Sequence, residues 1–191
     1  MASNNRFCVK TAAVLGSGVM GSQIAAHMVN ANVEVYLFDL AAKEGQPNGV
    51  VEKSLSFLQK LEPTPFSSKQ KASYIKPANY DHNLSFLKEC DLVIEAIVEN
   101  ERIKAELFKS LDKIVKPHAI LASNTSSIPI TRLASATSRP DRFIGMHFMN
   151  PVPVMKLVEI IRGYNTSDEV TKIIMDLSVT LGKTPTEVND Y

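Results

Sequence analysis

The chain lacks the features that mark several protein classes. Its 191 residues hold two cysteines, Cys8 and Cys90, far apart and in no C-x-x-C pattern. Neither a disulfide framework nor a cysteine zinc site is expected, and a reducing compartment is the default. No window approaches the about 18–20 consecutive apolar residues that a membrane span needs. The opening MASNNRFCVK is too short and polar for a secretory signal and lacks the Arg-rich length of a transit peptide. A cytoplasmic protein with no membrane partner is the expectation. Charge of one sign is missing too: 21 basic residues face 20 acidic ones, and no run clusters Lys and Arg. There is no net field to draw nucleic acid. Internal repeats and low-complexity segments are absent. What remains is 45% hydrophobic and 21% charged residues, an ordinary globule with a core and a length that suits one α/β domain.

Short apolar runs alternate with amphipathic ones along the chain. KTAAVLG reads as a strand, and VMGSQIAAHMVN as a helix with Met20, Ile24 and Met28 on one face. NVEVYLFDL is a second strand, ending at Asp39. Residues 49–61 and 67–76 read as helical or loosely connected, with EPTPF as the break between them. CDLVIEAIV has the length and apolarity of a strand buried on both faces. ERIKAELFKSLDKIV places Ile103, Leu107, Leu111 and Ile114 on one stripe and is a helix, stopped by Pro117. AILASN is a strand, PITRLASA a short helix, and RFIGMHFM and KLVEIIRG are strands separated by NPVPV. The last helix opens on TSDE, a capping box in which Thr166 caps and Glu169 replies. Its stripe is Val170, Ile173, Ile174 and Leu177, and Gly182 suits its C-terminal end. This alternation predicts an α/β fold, a doubly wound, mostly parallel sheet covered on both faces, with an antiparallel strand pair near the C-terminus. Residues 1–191 form one domain.

GSGVMG (Gly16, Gly18, Gly21) has G-x-G-x-x-G spacing. Alone it is a weak signal. Here a strand precedes it, a helix opens inside it, and Asp39 follows 23 residues beyond Gly16 at a strand end. Gly16 would permit the tight turn, Gly18 would let the backbone approach a pyrophosphate, and Gly21 would let helix and strand lie close. The helix N-terminus then offers N–H groups to the phosphates. Asp39 would accept hydrogen bonds from the adenosine ribose and repel a 2′-phosphate. No arginine follows in DLAAKEG, so a Rossmann-like domain for NAD rather than NADP is expected, with Lys43 softening that preference slightly. FAD shares the fingerprint, and an ordinary strand–helix turn is the competing structural reading.

The run RFIGMHFMNPVPVMKLVEII holds one histidine and one glutamate among apolar neighbours. A carboxylate buried there is costly unless something pairs with it. A symmetric hairpin about Pro153 places His147 opposite Glu159 on one side of the ribbon, and a one-residue bulge would break that register. A carboxylate that holds one imidazole nitrogen leaves the other as a base, the requirement for taking a proton from an alcohol near neutral pH. A structural pair is the alternative. His27 sits mid-helix, and His82 and His118 lie in polar loops, so these read as structural or solvated. In LASNTSS, Ser123, Asn124, Ser126 and Ser127 either hydrogen-bond a ligand at the strand end or cap the next turn. Glu95 interrupts an apolar strand and has no assigned role.

VLGSGVMGSQIAAHM, DLVIEAIVEN, LASNTSSIPIT and RFIGMHFMNPVPVMKLVEII together resemble the L-3-hydroxyacyl-CoA dehydrogenase family, including the dehydrogenase part of multifunctional fatty-acid oxidation enzymes. Residues 41–88 match it only loosely. The resemblance implies NAD-dependent oxidation of an L-3-hydroxyacyl-CoA to a 3-ketoacyl-CoA in β-oxidation, with an acyl-CoA as the partner molecule. It implies that Gly16, Gly18, Val19, Met20, Gly21 and Asp39 hold NAD. His147 becomes the catalytic base, Glu159 the acid that orients it, and Ser126 the catalytic serine that hydrogen-bonds the substrate's 3-oxygen. Glu99, Lys104 and Asn150 line the nicotinamide end of NAD, with Asn150 also beside substrate. Without the resemblance, Glu99 and Lys104 read as a first-turn acid and a solvated helix lysine. In the family, the segment matching EVNDY runs on into an all-helical domain that supplies an active-site asparagine, part of the acyl pocket and the dimer contact. The expectation is therefore a cofactor-binding domain reaching its boundary at Tyr191, one that binds NAD and turns over weakly or not at all by itself. A non-catalytic NAD-binding or structural module of the same family is the alternative. A dehydrogenase of another β-hydroxyacid class fits less well, because those typically lack HFMNPVP.

Overall fold

A computed structural model describes residues 8–190. The reading of the first residues as free of a signal lies outside that range for residues 1–7, as does Tyr191. The chain runs β1 (Thr11–Leu15), α1 (Val19–Asn30), β2 (Glu34–Asp39), α2 (Gly49–Leu58), β3 (Ile75–Asn79), β4 (Leu92–Glu95), α3 (Glu101–Leu111), β5 (Ile120–Ser123), α4 (Ile130–Ala134), β6 (Phe143–Phe148), β7 (Leu157–Arg162), α5 (Asp168–Thr180) and β8 (Thr184–Asn189). Short 3-10 segments at Lys69–Tyr74, Leu84–Glu89 and Pro140–Arg142 join them.

All eight strands form one sheet in the order β3-β2-β1-β4-β5-β6-β7-β8. The pairs from β3 to β6 are parallel, β7 is antiparallel to β6, and β8 is parallel to β7. This is the doubly wound, mostly parallel sheet that the alternation predicts, with its antiparallel pair where expected. The central strands read as unbroken apolar runs because both faces are covered. Ala12 and Val14 of β1, Leu92 and Ile94 of β4, and Ile144 and Met146 of β6 pack with Ile24, Met28, Val51, Val170 and Ile174 on one face. Ala13, Leu15, Val93 and Leu121 pack with Phe108, Leu111 and Leu133 on the other. Helices α1, α2 and α5 thus cover one side, and α3 and α4 the other.

Two strands escape the sequence pattern, and both are edges. Residues 75–79 form β3, although 75 and 76 fall at the end of the stretch expected to be helical or loose and 77–79 are not read as an element. Residues 184–189, not read as an element, form β8. Each contains a proline (Pro77, Pro185), which an edge strand tolerates because it need not donate toward a neighbour on its open side. A second correction concerns the last helix. Its cap is Ser167, whose Oγ accepts from Val170 N. Thr166 instead donates its hydroxyl to the Phe143 carbonyl at 2.6 Å and is buried. At the other end Gly182 has φ +74°. Its N–H bonds to Val179 O, and the Lys183 N–H to Ser178 O, the paired bonds of a glycine-terminated helix.

The start of the central strands is tied by Asp91. Its Oδ2 accepts the N–H groups of Lys10 and Thr11 at 2.8 and 3.1 Å, and its Oδ1 meets Lys116 Nζ at 2.5 Å. Burial by itself would raise the Asp91 carboxyl, but these donors outweigh it and hold the group below the usual range. A depressed carboxyl stabilises the fold above its unfolded pKa and loses that contribution as pH falls through the folded value. Asp91→Asn should cost about 1–2 kcal/mol at pH 7, read by chemical denaturation. The gap to wild type should close as pH drops below about 4. A gap that stays constant down to pH 3 would exclude this role.

Candidate active site

Strand β1 ends at Leu15, and α1 begins three residues beyond Gly16 with no side-chain cap at its N-terminus. Gly16 has φ +100°, and a Cβ there would lie 2.6 Å from the Ala96 carbonyl oxygen. A Cβ on Gly21 would overlap the Gly16 carbonyl, whereas a Cβ on Gly18 would meet nothing within 4 Å. Two glycines are thus needed for packing, and the third keeps a concave approach to the first N–H groups of α1 clear. This is the shape that a dinucleotide phosphate requires.

Asp39 stands beside this loop with its carboxylate held still. Oδ2 accepts from Ser17 N at 2.7 Å and Ser17 Oγ at 2.6 Å, and Oδ1 accepts from Leu40 N at 2.8 Å. From here a groove of about 650 Å³ runs past Val19, Met20, Leu40, Tyr80, Val98 and Ile103. Several of the exposed large apolar side chains, Val19, Leu40, Val98 and Ile103, converge on it. It suits a flat aromatic ring with a sugar at the Asp39 end.

Met20, Ala96 and Ile97 also border a second cavity of about 310 Å³, lined by Glu99, Lys104, Asn124, Ser126, His147 and Asn150. It lies over the C-terminal ends of β4, β5 and β6, where ligands bind in open α/β sheets. Volume does not select the site. A wider cleft of about 860 Å³ around Lys10, Asn32 and Lys172 lies at the opposite strand ends and holds no histidine.

His147 and Glu159 are register partners across β6 and β7, the pairing that the hairpin spacing predicts. Nδ1 lies 2.9 Å from Glu159 Oε2. A carboxylate only accepts, so Nδ1 carries the hydrogen and Nε2 is the basic nitrogen. The connection between the strands is a helical turn, with Val154 N and Met155 N both bonded to Pro151 O. Gln23 of α1 accepts from Val152 N at 2.9 Å, and the buried Lys183 ammonium donates to the carbonyls of Val152 and Met155. Burial holds the Lys183 pKa below its ordinary value. His27 donates Nε2–H to Leu181 O at 2.7 Å; burial and then the nearby Lys183 lower its pKa, consistent with a structural role.

The four candidate residues in LASNTSS separate. Ser123 is buried and donates to Glu95 Oε2 at 2.6 Å. Asn124 Oδ1 accepts from Phe148 N, tying β5 to β6. Ser127 donates to Glu99 Oε1 at 3.2 Å. Among the described residues, only the Ser126 hydroxyl of these four is not engaged, and Ser126 borders the same cavity as His147.

Glu99 precedes the helix rather than lying in its first turn, since Asn100 is the cap of α3. Thr125, Ser126 N and Ser127 all bond its Oε1, and Lys104 Nζ lies 3.1 Å from Oε2. Partial burial would raise its carboxyl, but Thr125 and Lys104 prevail and lower it. Lys104 is not the solvated lysine that its helix position suggests: it is 1% exposed and meets Glu95, itself 0% exposed, at 2.5 Å. Only the interruption of an apolar strand by Glu95 hinted at this pair. Among the described residues no three His, Cys, Asp or Glu side chains cluster for a metal, and no helix is long and apolar enough to cross a membrane.

Sheet order, glycine loop and pinned acid define a Rossmann-type dinucleotide-binding domain. The chain belongs to the family described as 3-hydroxyacyl-CoA dehydrogenase, NAD binding domain, whose model matches residues 11–191. It is 48% identical over 182 residues to a probable 3-hydroxybutyryl-CoA dehydrogenase of Deinococcus radiodurans, covering 93% of this chain and 63% of that protein. It is 40% identical over 188 residues to the fatty acid oxidation complex subunit alpha of Acinetobacter baylyi, covering 95% of this chain and 25% of the other. The crystal structure of an (S)-3-hydroxybutyryl-CoA dehydrogenase from Ralstonia eutropha superposes with a TM-score of 0.80 at 42% identity, over 96% of this chain and 64% of that one. The chain thus spans 63% of the length of the first of these relatives.

The loop packing is open to a direct check by denaturation. Gly21→Ala should destabilise by about 1–3 kcal/mol, since its methyl meets fixed backbone. Gly18→Ala, at φ −65° and in open space, should cost less than about 1 kcal/mol. Equal losses would contradict the described packing.

Proposed function

We propose that this domain carries the cofactor and the acid–base pair for reversible oxidation of an L-3-hydroxyacyl-CoA to a 3-ketoacyl-CoA. The observation that carries the reading is His147, oriented by Glu159, in one cavity with the unengaged Ser126 hydroxyl at the end of the cofactor groove. Relatives named as 3-hydroxybutyryl-CoA dehydrogenase and as a fatty acid oxidation subunit support the substrate class.

NAD, when bound, would supply the hydride acceptor for oxidation at substrate C3. Gly18 and the α1 N-terminus would hold its pyrophosphate, and Asp39 would take the ribose hydroxyls and disfavour a 2′-phosphate. Glu99, Lys104 and Asn150, which line the cavity with His147, would face the nicotinamide end. His147 accepts the substrate hydroxyl proton on Nε2 as the C–O bond gains double-bond character. Glu159 keeps the Nδ1 hydrogen in place and stabilises the imidazolium so formed. Ser126 donates to the 3-oxygen in both states, a positioning role. The apolar neighbours Phe148 and Met149 keep bulk water from the transfer path.

His147→Gln keeps a polar side chain but removes the base. It should lower NADH oxidation with acetoacetyl-CoA by about 10²–10⁴-fold while NADH affinity, followed by fluorescence titration, stays near wild type. Unchanged turnover would overturn the assignment of the base. NADH binding by the wild-type chain with no turnover would favour a cofactor-binding module without chemistry of its own.

A further inference from the structure

One charged residue at the site is used by none of these roles. Glu95, the last residue of β4, is fully buried, and each of its oxygens is occupied. Oε1 accepts from Lys104 Nζ at 2.5 Å and Ile97 N at 2.8 Å, and Oε2 accepts from Ser123 Oγ at 2.6 Å. The rest of β4 and both its faces are apolar. Replacing a buried ion pair by well-packed apolar residues is often neutral or stabilising, so the fold has no evident need of this charge.

We infer that Glu95 is a positioning residue: it fixes Lys104 so that the ammonium faces the cofactor, and through Lys104 and Glu99 it sets the loop that carries Ser126. The inference rests on the reading of the site given above. An ammonium has three N–H donors and no acceptor. Glu95 takes one and Glu99 a second. The third is directed by the other two, and Lys104 borders the cavity shared with His147 and Ser126. Glu99 in turn holds Thr125, the Ser126 N–H and the Ser127 hydroxyl. Ser123, on the second oxygen of Glu95, accepts from Thr125 N at 3.2 Å. One buried carboxylate therefore reaches the 123–127 loop from two directions. Without its charge, Lys104 would be paired only by Glu99, whose side chain is 41% exposed. The ammonium would be drawn toward the rim, and Glu99 away from the serine loop.

Glu95→Gln is close to isosteric. Its amide oxygen can still accept from Ile97 N, and its NH₂ can donate to the Ser123 hydroxyl, which rotates to accept, but a neutral amide no longer holds the ammonium against the pull of Glu99. This variant should raise the NADH Kd roughly tenfold and lower turnover further. In a Lys104→Met background the same change should have almost no further effect on NADH affinity, since residues acting as one unit are not additive. Full additivity of the two changes, or wild-type NADH affinity in Glu95→Gln, would overturn the inference and leave the proposed function standing. If Glu95→Gln does not fold, the double variant Glu95→Leu/Lys104→Met removes both charges together. That protein should fold and bind NADH weakly, and wild-type affinity in it would overturn the inference equally. Failure of the wild-type chain to bind NADH at all would refute both readings at once.

Discussion

The register of the parallel strands is the constraint on which the site depends. Phe38, Leu15, Glu95, Ser123 and Gly145 form one row across β2, β1, β4, β5 and β6, and Ile161 of β7 continues it. Backbone bonds carry the row one residue further, from Gly16 N to Phe38 O, Ala96 N to Leu15 O and Asn124 N to Glu95 O. Residues just past the row are then forced to one level. Gly16 and Asp39 stand on one side of it, Asn124 lies near the middle, and His147 sits two residues beyond Gly145. A slip in any pair would take its loop off that level, and in a strand buried on both faces a one-residue slip also exchanges the faces. Core packing therefore protects the alignment of groups that take no part in the core.

The rim so formed is where the chain departs from apolar burial. Lys104 and Glu95 are charged and buried, and Asp39, Glu99 and Glu159 each have oxygens committed to specific donors. Such groups are tolerable in a low-dielectric setting only when partnered. Here the partners are also the loops that frame the cavities. Ser17 fixes Asp39, Thr125 and Ser127 fix Glu99, and Ser123 fixes Glu95. Hydroxyl residues at and after strand ends thus hold the acids in place, and among the described residues Ser123, Ser126 and Ser127 it is the Ser126 hydroxyl that is left unengaged.

Local signals in the sequence disclosed part of this. The glycine loop is legible because its three positions answer to three separate steric demands, and Asp39 because a strand must end where the acid is needed. The His147–Glu159 contact is legible because a short hairpin converts spacing into register. Glu95–Lys104 is different. It joins a strand end to the first turns of the following helix, and whether they meet depends on the path of residues 96–100, which no periodicity encodes. Lys104 falls where an amphipathic pattern would accept a solvated cation, so its burial leaves no trace. The edge strands β3 and β8 are obscured by their prolines and polar residues. The Thr166/Ser167 exchange at the last helix turns on which of two adjacent hydroxyls faces the helix, a matter decided by the Phe143 carbonyl nearby.

The antiparallel turn adds a requirement that the parallel strands do not have. A carboxylate on β7 can hold His147 only if the β6–β7 hairpin keeps its register, and the hairpin carries a five-residue helical turn rich in proline. Its carbonyls at Val152 and Met155 point to the C-terminal, electronegative end of that turn, and Lys183 brings a buried cation to them from the start of β8. Gln23 closes the same turn from α1, the helix that opens at the glycine loop. The His147–Glu159 contact is therefore secured by strand pairing along the hairpin, and at its tip by one side chain from α1 and one from the residue before β8. A disturbance of α1 or of β8 would reach Nε2 of His147 through this turn, which makes the edge strand at the far side of the sheet part of the geometry of the site.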